Sequence, residues 1–226
     1  MKKYLAIVLA VLMALTCVAL VACEKPCEHN FQNGTCTLCG EADPNAGSGA
    51  NIYQDKEFTG SAIVGSGKVY LTTLGQADWD YAQTLVTDSQ YGAGYTNATV
   101  NNLLEASEVE AGSTVIVVVG YTAKGIAPGI TIAGETARAQ AFAAKAGDIN
   151  LIVMHLGGVG RRGEASDPMI EAIVAVADYT FVYHDATAAS TGGDYDGLFS
   201  NTATTELYLY ADETEIVPAL KVLLGL

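Results

Sequence analysis

From residue 68 onward the chain alternates short apolar runs with stretches of helical periodicity. Apolar runs bounded by turn residues fall at 69–74, 114–119, 151–154, 179–183 and 207–210. Each is four to six residues long and rich in β-branched or aromatic side chains, and the central ones are apolar without interruption, the pattern of strands buried on both faces. Helical spacing of apolar positions occupies 79–89, 131–146, 168–177, 198–204 and 216–224. Parallel neighbours need crossovers, which intervening helices supply, so the alternation predicts an α/β domain. The expected form is a mostly parallel sheet of about five strands with helices on both faces, a Rossmann-like or flavodoxin-like three-layer sandwich. Residues 61–64, followed by Gly65-Ser66-Gly67, predict an added edge hairpin.

Upstream the pattern changes. Residues 5–22 carry no charge, follow the basic Met1-Lys2-Lys3 and end on Leu20-Val21-Ala22-Cys23, the layout of an export signal. This segment resembles a bacterial lipoprotein signal. The resemblance implies cleavage before Cys23, acylation of Cys23, and a protein held on the cell membrane facing outside the cytoplasm, with a transporter or envelope protein as a partner. Eighteen apolar residues are also long enough for one membrane-spanning helix. Next come Cys27, His29, Cys36 and Cys39 in the spacing C-x-H-x6-C-x2-C, around an Asn33-Gly34 turn. Four such ligands suit the tetrahedral preference of Zn2+ and predict a structural zinc knuckle. A Cys36–Cys39 disulfide or redox pair is the alternative outside the cytoplasm. With Cys17 cleaved away and Cys23 acylated, three cysteines remain, an odd number for disulfides alone. Residues 41–50, EADPNAGSGA, have linker composition. The chain thus divides into a signal (1–22), an anchor cysteine with knuckle (23–40), a linker (41–58) and an α/β domain (59–226).

Charge narrows function by exclusion. The 226 residues hold 25 Asp+Glu against 11 Lys+Arg, a formal charge of −14. Loss of Lys2 and Lys3 leaves nine basic residues against 25 acids, so the processed chain carries −16. Proteins that track nucleic-acid phosphates need the opposite sign, which excludes DNA and RNA as partners. Against that background Lys124, Arg138, Arg161 and Arg162 fall within 39 residues, a local reversal of sign.

Ligands of open α/β sheets sit beyond the carboxyl ends of the strands. Three segments there stand out: Gly75-Gln76-Ala77-Asp78, residues 120–125 with Lys124, and the glycine-rich stretch from His155 to Asp167. A glycine-rich loop before a helix that starts at Ser166-Asp167-Pro168 is where backbone N–H groups and guanidinium forks hold anions. Gln76, Asp78, Lys124, His155, Arg161, Arg162, Ser166 and Asp167 are therefore the candidate residues for binding a small anionic ligand. Each has a plainer reading. Asp78, Ser166 or Asp167 would cap helices, His155 would be a core histidine satisfied by backbone, and Lys124 or the arginine doublet would be solvated charge. The rival function is an enzyme using His155 and Asp167 as acid and base. Gly158 to Gly163 also matches G-x-G-x-x-G, with Asp185 lying 22 residues beyond, as in dinucleotide sites. Asp194 and Asp196 are too few for Ca2+, and the chain has no G-x-S-x-G for a serine hydrolase.

The motifs G-Q-x-x-D, G-x-x-x-K-G, M-H-x-G-G-x-x-R-R-G-x-x-S-D and D-G-L-F stand here at 75–78, 120–125, 154–167 and 196–199. They resemble a bacterial domain-of-unknown-function family of secreted and lipid-anchored α/β proteins, over about residues 68–226. Ala77 and Val159 occupy positions where that family usually has serine and an acidic residue. The resemblance implies the fold and the site location and supplies no reaction.

Overall fold

A computed structural model describes residues 31–32, 35–36, 51–54, 58, 60–65, 67–123, 128–183, 206–210 and 212–226. The chain separates into two compact units, Met1–Pro44 and Asn45–Leu226. In the first, β1 (Phe31–Gln32) and β2 (Thr35–Cys36) pair antiparallel on either side of Asn33-Gly34, with Phe31 opposite Cys36. The signal at 1–22, Cys23 and the ligand candidates Cys27, His29 and Cys39 lie outside the described residues, as does the side chain of Cys36.

The second unit is an α/β domain built on one all-parallel sheet. Its strands are β3 (Asn51–Gln54), β4 (Val69–Leu74), β5 (Thr99–Val100), β6 (Thr114–Val119), β7 (Asn150–His155), β8 (Tyr179–Tyr183) and β9 (Glu206–Tyr210). They lie in the order β3-β9-β8-β7-β6-β4-β5. Four helices accompany them: α1 (Trp79–Thr87), α2 (Ile132–Lys145), α3 (Asp167–Val174) and α4 (Glu213–Leu223). Side-chain alternation along each strand divides the core into two layers. Val115, Val117, Val119, Leu151 and Val153 face α2 and α3, where they meet Ala139, Phe142, Met169 and Ile170. Ile116, Val118, Ile152 and Met154 face the other way, onto Leu85 and Val86 of α1 and Ile216 and Leu220 of α4. Uninterrupted apolar strands are thus explained by helices on both faces.

All five predicted strands and four of the five predicted helices are present within a few residues; the helix expected at 198–204 lies outside the described residues. Two differences matter. Residues 61–64 form no hairpin, because the backbone of Ile63 is already engaged. Its N–H donates to Leu223 O (3.0 Å), and its carbonyl accepts from Asn150 Nδ2 (2.6 Å). Conversely, Asn51–Gln54, within the segment divided off as linker (41–58), pairs with β9 as an edge strand, and Phe58 packs 4.9 Å from Tyr208 between ring centroids.

Strand order fixes where a site can form. From β4 the chain passes through α1 to β5 on one side, then places β6, β7, β8 and β9 successively on the other. Counted from β4 this is 2-1-3-4-5, the order of doubly wound flavodoxin-like sheets, extended by one strand and closed off by β3. The winding direction reverses at β4, which places the switch point between β4 and β6.

Candidate functional site

The turn after β4 occupies that reversal. Gly75, Gln76 and Asp78 all have positive φ, of 87°, 63° and 55°. For Gln76 and Asp78 this left-handed geometry costs on the order of 1 kcal/mol or more each, a strain retained only where surrounding contacts enforce it. Gly75 has no substitute, since a Cβ there would lie 2.4 Å from the Gly120 carbonyl oxygen. The enforcing contacts are visible. Ala77 N donates to Gly120 O (3.0 Å) and Thr122 N to Gly75 O (3.1 Å), so the turns that follow β4 and β6 are zipped together. Gly75 N donates to the carboxylate of Glu135 on α2 (2.6 Å).

Glu135 is in turn paired with Arg138 (2.6 Å), and both side chains are buried. The Arg138 guanidinium also donates to the carbonyls of Leu104 (2.9 Å) and Thr73 (3.3 Å). One ion pair on α2 therefore ties the end of β4 to the loop that follows β5. Across the same gap, Gln76 Nε2 donates to Asn102 O (3.1 Å) and Asn102 Nδ2 donates to Gln76 Oε1 (2.9 Å). Between the turn and the loop opens a cavity of about 450 Å³, lined by Gln76, Asp78, Trp79, Asp80, Tyr81 and Asn102.

Of the sequence-derived candidates, Gln76 and Asp78 line this cavity. Asp78 stands at the N-cap of α1, but its side chain caps nothing; it pairs with Arg161, both oxygens at 3.4 Å. That pair lies against Gly157, where a Cβ would come within 2.6 Å of Asp78 Oδ2. Arg162 forms a fork on Asp167 (2.8 and 3.3 Å), and Asp167 Oδ1 also accepts the Gly163 N–H (2.9 Å). The two arginines are thus each seated on a different aspartate. Ser166 is buried, and its hydroxyl accepts the Tyr121 N–H (2.9 Å), linking the start of α3 to the turn after β6. His155 is fully buried, Nδ1 2.9 Å from Val119 O and Nε2 3.0 Å from Gly158 O, the satisfied core histidine of its plainer reading. Burial pushes its pKa down, against the opposing pull of the two carbonyls. Lys124, Asp185, Asp194, Asp196 and the D-G-L-F motif lie outside the described residues.

The glycine-rich stretch itself is a 3-10 turn, Gly158–Arg161, and α3 begins only at Asp167, so the tight strand-to-helix turn of a dinucleotide site does not form. Sequence reasoning missed Glu135, Asn102, Trp79 and Tyr81, and it gave Arg138 no role beyond its charge. A signal existed for the first ion pair: 135, 138, 139 and 142 make one helical stripe, and two of its four members are charged among apolar neighbours.

No curated protein and no solved structure matches the chain. A family model described as a domain of unknown function, DUF6305, matches residues 66–222, well over half of the chain, and to that family the chain belongs.

Proposed function

We propose that the α/β domain binds a small polar molecule in the cavity beside the β4–α1 turn. The observation that carries this reading is the backbone of Gln76 and Asp78. Two non-glycine residues are held in left-handed geometry by a buried ion pair and a zipped turn, and both side chains line the cavity. Strain concentrated in this way at the carboxyl end of a strand, beside a cavity, is characteristic of ligand sites. Native mass spectrometry of the full chain tests it: a co-purified small molecule on the wild type should be lost from Asn102→Ala. A chain that carries no adduct, or an adduct equally retained by the variant, overturns it.

A second reading keeps an anionic group on that molecule. It is favoured by Arg161, whose side chain is 35% exposed and whose contacts with Asp78 lie at the long limit of hydrogen bonding. Replacing Arg161 by Gln would then weaken binding by about 1.5–3 kcal/mol. For the N-terminal unit the proposal is a lipid anchor at Cys23 followed by a zinc-holding spacer, with Cys27, His29, Cys36 and Cys39 as the ligands. Atomic absorption should find one zinc per chain after reducing purification.

A further inference from the structure

Resting on the cavity reading above, we infer that the occupant is a neutral, hydroxyl-rich molecule of monosaccharide type. Charge comes first. Among the described residues the lining contains two carboxylates, Asp78 and Asp80, and no Lys or Arg, and Arg161 beside it is already paired with Asp78. An anion would have to share Arg161 with the Asp78 carboxylate that already faces it. A cation fares little better, because Asp78 is neutralised by its arginine and Asp80 is exposed, where water screens it.

The hydrogen-bonding inventory points the same way. After the reciprocal Gln76–Asn102 pairing, Gln76 keeps one amide hydrogen, Asn102 keeps its side-chain oxygen, and the carboxylate of Asp78 keeps lone pairs beyond those facing Arg161. The Tyr81 hydroxyl is buried and has no hydrogen-bond partner among the described residues, so Tyr81 offers the cavity its ring rather than its O–H. A mixed set of donors and acceptors is matched by groups that do both, which is the property of an alcohol. Trp79 and Tyr81 add aromatic surface, against which the C–H faces of a pyranose ring pack. A volume of about 450 Å³ lies within the usual range for small-molecule sites.

Trp79 is the only tryptophan of the chain, so its fluorescence reports on the cavity directly. The full chain would be titrated separately with D-glucose, D-galactose, N-acetylglucosamine, choline chloride and inorganic phosphate. A saturable change is expected with at least one sugar and none with choline or phosphate. Affinity for that sugar should fall at least tenfold in Asn102→Ala, with a urea midpoint confirming that the variant is folded. Saturation by choline or phosphate without any sugar response overturns the inference while leaving the small-ligand reading standing. Unchanged sugar affinity in a folded Asn102→Ala chain overturns it too. Silence in every titration, together with no adduct in native mass spectrometry, removes both readings.

Discussion

His155 shows how one side chain can carry a pH dependence without any catalytic role. A neutral imidazole has a single N–H, so it can donate to only one of the Val119 and Gly158 carbonyls that flank it. Protonation would satisfy both carbonyls, but burial disfavours the charge more strongly and holds the pKa below the ordinary 6.5. The unfolded chain therefore takes up a proton before the folded one as pH falls, and the stabilising contribution, complete above pH 6.5, is lost below it. Urea midpoints should drop between about pH 7.5 and about pH 5.5, and His155→Gln should narrow that gap. A midpoint that rises on acidification would mean that the two carbonyls prevail. Of this site the sequence disclosed the histidine at a strand end. It could not disclose that Arg161 has an aspartate waiting, because Asp78 lies 83 residues away and only the fold brings them together.

Between elements, α2 does more than cover the sheet. Its Glu135–Arg138 pair reaches across to Gly75, Thr73 and Leu104, so the helix holds the geometry of a turn to which it contributes no backbone. Removing one partner strands the other as an uncompensated buried charge. Glu135→Gln and Arg138→Met should each lower unfolding free energy by about 3–5 kcal/mol, read from urea curves. The double variant Glu135→Leu/Arg138→Met should cost less than the sum of the singles, because it leaves no orphaned ion. Strands such as Thr114–Val119 could be read from sequence because burial on both faces leaves an unbroken β-branched run. β5 could not. Its two residues, Thr99 and Val100, are both exposed and carry no apolar pattern, yet this strand sets the reversal at β4. β3 was equally silent, since four residues directly after a linker-like stretch, only two of them apolar, are too short to give a strand pattern.

At the level of the molecule, a net charge of −14 gives no electrostatic hold on an anionic bilayer, so the membrane attachment proposed for Cys23 would have to come from acylation. Palmitate fed to cells expressing the protein should label the wild-type chain and leave Cys23→Ser unlabelled; label on the variant would refute the anchor. Because β3 runs parallel to β9, its first residue, Asn51, lies at the amino end of the sheet, while the cavity opens at the carboxyl end and several strands away. The first strand of the domain and its doorway thus stand at opposite ends of the strands and toward opposite edges of the sheet.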